Sequence, residues 1–158
     1  MLIEDPTVTL KPHFCFTLSF FFSSLFLWAT ETVSSTPDEA VDNMHHLMEY
    51  VFEPRYKELK EVVALSPSKK RFKKVKACGL TLAEAANLLI RRSPEDAGVE
   101  EKELWVKYAR DVREQASILY QAARKKDHPQ VVAAYRQTIG KCNVCHQKFA
   151  DGKYQLSP

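Results

Sequence analysis

DHPQVVAAYRQTIGKCNVCHQKF, residues 127–149, is the stretch from which the rest of the chain can be read. Asp127 with Pro129 two residues later is a helix start. The inner positions of the helix that follows are Val131, Val132, Tyr135, Thr138, Cys142, Cys145, His146 and Phe149. On such a helix, residues 142, 145 and 146 stand at i, i+3 and i+4, so both thiols and the imidazole leave on one face.

Two cysteines separated by two residues, with a histidine directly after the second, have the spacing by which c-type haem is attached. Each thiol adds to a porphyrin vinyl group and the imidazole becomes a ligand of the iron. Three other readings compete with this one. A zinc site needs a second ligand pair, and His45, His46, His128 and Cys78 lack a matching spacing. A dithiol redox site sits at the start of a helix after a strand, and no strand-period segment of useful length is found. Chance occurrence of the motif is the third.

Working outward, the chain reads as three more amphipathic segments. Thr36 as N-cap, Pro37 at the first helical position and Glu39 three residues after the cap open a first helix. Its apolar face is Val41, Met44, Met48, Val51 and Phe52; Pro54 should end or kink it, after which Tyr56, Leu59, Val62 and Val63 resume the period. Ser66-Pro67 opens a second helix with Phe72, Val75, Cys78, Leu82, Ala85, Ala86 and Leu89 inward. Gly79 costs that helix about 1 kcal/mol relative to Ala unless it permits close packing. Residues 93–98 are a loop on composition. A third helix from about Glu100 carries Trp105, Tyr108, Ala109, Val112, Ala116, Leu119, Tyr120 and Ala123, and closes on Arg124-Lys125-Lys126, where cations suit the helix terminus. Four amphipathic helices on short connections imply an all-α, antiparallel four-helix bundle.

Composition agrees with that fold. At 158 residues the chain has room for one domain, and only 4 glycines are few for a fold rich in tight turns. Residues 14–29 are almost wholly apolar or small, too short for a straightforward membrane span and close to the length of a signal-peptide core. Residues 1–30 are therefore expected to be a secretory signal or, failing that, a short anchor, although Glu4 and Asp5 outweigh Lys11 before the apolar run. Residues 31–158 are then the bundle, in a periplasmic or otherwise exported protein. Without residues 1–30 the chain carries 22 basic and 18 acidic residues, a balance that does not call for nucleic acid.

The segment Cys142-x-x-Cys145-His146-x-x-Phe149, ending a bundle of this size, resembles the class II c-type cytochromes, the cytochrome c-prime and cytochrome c556 group. The resemblance extends over most of residues 37–150, including Trp105 near the start of the third helix. It implies one haem c, covalently bound at Cys142 and Cys145, with His146 as proximal ligand and the first helix covering the distal face. It also implies an exported one-electron carrier or a gas-binding haem protein, in either case not an enzyme acting on a substrate.

Ala40-Val41, with Met48 seven residues on, resembles the family's opening helix, whose last position is methionine in six-coordinate members and a non-ligand in five-coordinate ones. Met48 is thus the candidate distal ligand and Met44, one turn earlier, the runner-up. Either can equally be a core residue. His45 and His46 fall off the apolar stripe. Met44 occupies the place of the family's usual arginine, and Phe149-Ala150 lacks the basic residue that often follows in five-coordinate members, which favours electron transfer over binding of NO or CO. Relatives often pair through their first two helices, so a homodimer is a further expectation. Lys69-Lys70-Arg71-Phe72-Lys73-Lys74-Val75-Lys76 holds six cations in eight positions; it is a solvated helix face or a field that steers an acidic redox partner. Cys78 reads as a buried small hydrophobe rather than a reactive thiol.

Overall fold

The computed structural model describes residues 42–158. The apolar run 14–29 and the helix signals at Thr36, Pro37, Glu39 and Val41 lie outside the described residues.

The first described helix begins at Met44. Asn43 is its N-cap, its side chain accepting from the His46 backbone N–H at 2.9 Å, and His46 Nδ1 lies 2.7 Å from an Asp42 carboxylate oxygen. From that cap the chain forms α1 (Met44–Leu47), a π turn (Met48–Phe52) and α2 (Glu53–Val63) without interruption. Pro54 neither ends nor breaks the rod. A proline inside an α-helix lacks an N–H and clashes with the carbonyl four residues back. Here the Glu53 N–H reaches the Met48 carbonyl five residues back, so the register changes just before the proline and Pro54 falls in the first turn of a new α segment.

The extra residue in that turn also re-aims the apolar stripe. Leu47 and Phe52, five apart, become the buried pair, while Met44, Met48 and Val51 are half-buried against the core.

The second long helix, α3 (Lys69–Arg91), is capped by Ser68, not by Ser66. A proline at 67 disfavours helical backbone at the residue before it, and the Ser66 carbonyl is taken by the Arg71 guanidinium. Ser68 is then the first hydroxyl able to accept from the Arg71 N–H. Val75, Cys78, Leu82, Ala85, Ala86 and Leu89 are buried along the α3 face, as their period requires.

Residues 93–98 connect to α4 (Val99–Lys125), which packs antiparallel to α3. Gly79 faces Tyr120 at one end of the contact, and the Trp105 indole N–H donates to the Leu89 carbonyl at 2.7 Å at the other. A Cβ on Gly79 would stand 3.0 Å from the Tyr120 backbone nitrogen, so the glycine does permit close packing of the two helices. At the end of α4 Lys126 takes the left-handed conformation and closes a double hydrogen bond onto Ala122 and Ala123. Asp127 follows at once as N-cap of α5 (His128–Phe149), accepting from the Gln130 N–H at 3.0 Å.

Helix α5 returns antiparallel to α4: Asp111 meets Lys141 at 3.2 Å, and Trp105 meets Phe149 edge-on at 4.9 Å between ring centroids. Helix α2 packs on α3 and touches α5. Every regular element among the described residues is a helix, with no strand among them, and the four helices pack as a bundle does. Thr138, the buried polar residue in the core, is satisfied by its own helix, donating to the Ala134 carbonyl at 2.8 Å.

Two glycines give opposite expectations. Gly79→Leu should cost about 1–3 kcal/mol by forcing α3 from α4. Gly140→Ala, with open space around it, should gain about 0.5–1 kcal/mol from the helix interior. Urea unfolding midpoints of the two variants check the pair; equal and small shifts would mean that α3 and α4 are not in close contact at Gly79.

Candidate haem-attachment site

The motif occupies the last two turns of α5, the end of the bundle at which Trp105 and Tyr108 both lie edge-on to Phe149. Cys142 and Cys145 are free thiols, one helical turn apart and half-buried, with Cys142 packed against the core. Burial pushes the Cys142 thiol up to about 12, with Cys145 adding to the rise, and burial pushes Cys145 up to about 11. That shift favours the protonated S–H form of both at neutral pH. Cys78, fully buried on α3, is likewise raised to about 12 by burial and by the Glu58 carboxylate, to which its thiol donates at 3.2 Å. It is the small buried hydrophobe that its position indicates.

His146 is oriented from an unexpected direction. Its Nδ1 lies 2.9 Å from the backbone carbonyl of Tyr154. A carbonyl can only accept, so Nδ1 donates, which leaves Nε2 as the ring nitrogen placed to act as a ligand. That is the arrangement in which metal-binding histidines are held: one ring nitrogen donates to a fixed acceptor and the other is left as a σ donor of set direction.

Tyr135 lies two turns before Cys142 on the same face. Its hydroxyl is buried and has no hydrogen-bond partner, and burial together with Tyr56 raises it to about 12. An unsatisfied buried hydroxyl costs on the order of 1–3 kcal/mol. It is the kind of polar atom that a site built around an additional group leaves.

The upstream candidates are placed differently. Met44 and Met48 are half-buried against the core rather than at its centre. The backbone of the π turn approaches α3, and within the first helix it is α2 that touches α5. Met48 and His146 are thus not brought side by side. His45 and His46 occupy α1 away from α5, paired with Glu49 at 3.6 Å and Asp42 at 2.7 Å. Among the described residues no three His, Cys, Asp or Glu side chains converge to hold a bare metal ion. A porphyrin brings its own four nitrogen donors, so two thiols and one imidazole suffice for haem; on that chemistry the residues present fit the group.

The residues that sequence reasoning missed lie in and after the motif. Asn143 binds Leu156 through both of its amide atoms, and the segment 150–157 wraps back over the end of α5. Gly152 within Asp151-Gly-Lys-Tyr154 was the one signal of a turn there.

No protein-family model matches the chain, and no curated protein matches it.

The raised thiols make a direct expectation. Alkylation of Cys142 and Cys145 by iodoacetamide should be far slower in the folded protein than in urea at pH 8, and should accelerate as pH rises toward 11. Because their folded pKa values exceed the ordinary value of 9.0, the stability they contribute is complete below pH 9 and is lost between pH 9 and about 12. Peptide mapping by mass spectrometry follows each thiol; rapid folded-state labelling of Cys142 at pH 8 would contradict its burial.

Proposed function

We propose that the chain is an exported c-type cytochrome that transfers single electrons, with haem c attached through Cys142 and Cys145 and His146 as the proximal ligand. The observation that carries this reading is the Nδ1 bond of His146 to the Tyr154 carbonyl, which leaves Nε2 as a directed donor beside two free thiols on one helix face. When bound, haem supplies an iron that alternates between the ferric and ferrous states. The protein's part is to hold it: Cys142 and Cys145 anchor the macrocycle at two points, His146 donates from Nε2, and Tyr135 offers a buried hydroxyl on the same face. Residues 14–29 support export by their apolar character.

Met48 is the proposed distal ligand, with Met44 as runner-up, since a thioether favours reduced iron and changes coordination little on redox. The exposed lysines of residues 69–76 support an acidic redox partner. Leu80 and Leu88, exposed on α3 beside Val51, support pairing of two copies through the first two helices. A second reading is a five-coordinate protein for NO or CO. It is favoured by the half-burial of Met48, whose turn packs on α3 while Leu47 and Phe52 take the buried positions.

Expression with a cytochrome c maturation system tests the proposal. Covalent haem, shown by intact mass and by a pyridine haemochrome, is expected in the wild type and lost in Cys142→Ala/Cys145→Ala. A low-spin spectrum that Met48→Leu converts to high-spin supports electron transfer; a high-spin wild type supports the gas-binding reading. If Met44→Leu changes the spectrum and Met48→Leu does not, Met44 is the ligand.

A further inference from the structure

We infer that Asn143, the residue directly after the first motif cysteine, is a positioning residue for His146: it anchors a C-terminal strap whose Tyr154 carbonyl holds the imidazole proton on Nδ1. The inference rests on the cytochrome reading above for its purpose, but its geometry belongs to the polypeptide alone.

The strap begins where α5 ends. The N–H groups of Ala150 and Gly152 both donate to the His146 carbonyl, at 3.0 and 3.1 Å, and the Lys153 N–H donates to Ala150 at 2.8 Å. Asp151, Gly152 and Tyr154 all have positive φ, at 50°, 70° and 60°. Only one of the three is glycine, and left-handed backbone costs a non-glycine residue on the order of 1–2 kcal/mol. A segment outside regular structure does not hold two such residues unless something fixes it.

What fixes it is Asn143. Its Oδ1 accepts from the Leu156 N–H at 2.8 Å, and its Nδ2 donates to the Leu156 carbonyl at 2.9 Å. Both bonds run to a single residue, so the side-chain amide reads the backbone as a neighbouring strand would, and the donor and acceptor of Leu156 dictate which way the amide faces. A second anchor lies one residue on. Tyr56 donates to the Ser157 carbonyl at 2.9 Å and accepts from the Ser157 N–H at 3.2 Å, and Lys60 also donates to that carbonyl, at 3.1 Å. Between the α5 cap and these anchors the Tyr154 carbonyl is aimed at His146 Nδ1. Asn143 sits within the motif, less than one turn before His146, so the spacer of the cysteine pair itself carries the anchor.

Capping of α5 alone does not require Asn143, because Ala150 and Gly152 already satisfy the His146 carbonyl. The anchor's distinct consequence is the tautomer. With Nδ1–H engaged, Nε2 is the donor atom and the ring is made more electron-rich by the acceptor behind it. Without the anchor, the imidazole is free to adopt the Nε2–H form, which has no lone pair to offer toward the haem side.

The test uses the full-length chain before and after haem attachment. Histidine ¹⁵N NMR of the haem-free protein at pH 8 is expected to show His146 in the Nδ1–H tautomer, with His45, His46 and His128 as internal references. Asn143→Ala should shift His146 toward the Nε2–H form. Asn143→Asp keeps the acceptor for the Leu156 N–H, loses the donor to its carbonyl and preserves the fold, and should give a smaller shift in the same direction. In the haem-loaded protein, Asn143→Ala should raise the reduction potential, because a less electron-rich imidazole stabilises ferric iron less. An Nε2–H tautomer in the wild type overturns the inference, as does an Asn143→Asp spectrum identical to wild type. Failure of haem to attach, with the tautomer as expected, overturns the cytochrome reading and the role toward iron together. Attachment of haem with an unchanged tautomer overturns only the role of Asn143.

Discussion

Trp105 is the contact on which the motif-bearing end of the molecule depends. Its indole N–H is spent on the Leu89 carbonyl near the last turn of α3, and its ring lies edge-on to Phe149 in the last turn of α5. One side chain near the start of α4 thereby ties together the ends of its two neighbours. A buried indole is stable only when its N–H has a partner, and an aromatic pair of this geometry adds about 0.5–1.5 kcal/mol beyond its buried area. The end of α5 that carries Cys142, Cys145 and His146 is consequently part of a tertiary cluster, not a frayed terminus.

The rest of the site is built by local hydrogen bonding against that rigid end. Helix α5 sets the spacing of thiols and imidazole, and the strap beyond it sets the state of the imidazole ring. The two halves are joined at Asn143. Strain at Asp151 and Tyr154 is opposed by bonds from Asn143, Tyr56 and Lys60, so residues from α2 and α5 both take part in holding one carbonyl in place.

Much of the helical plan was legible in the residues. The Asp127 cap, the inward stripe of α3 and the close approach at Gly79 follow from capping chemistry, helical period and the absence of a Cβ, all of which act within a few residues. The cap of α3 was displaced to Ser68, because several side chains there can cap and the Ser66 carbonyl is taken by the Arg71 guanidinium. The π turn was not legible at all: an apolar stripe written as Met44, Met48, Val51 and Phe52 assumes the α period on both sides of Pro54, and the structure inserts an extra residue there.

By itself the sequence determined that residues 142, 145 and 146 share one face of a helix, since i, i+3 and i+4 positions coincide on any α-helix, and that the described chain would be helical. Only the tertiary structure decided which nitrogen of His146 carries its proton and that Met48 rides on a turn packed against α3. The bond that sets the tautomer runs to a backbone carbonyl, which every residue possesses, so no side-chain pattern marks Tyr154 as the acceptor. The place of Met48 depends on a change of helical register, and that choice is made by the balance of burying Leu47 and Phe52 against accommodating Pro54, not by the identity of the methionine.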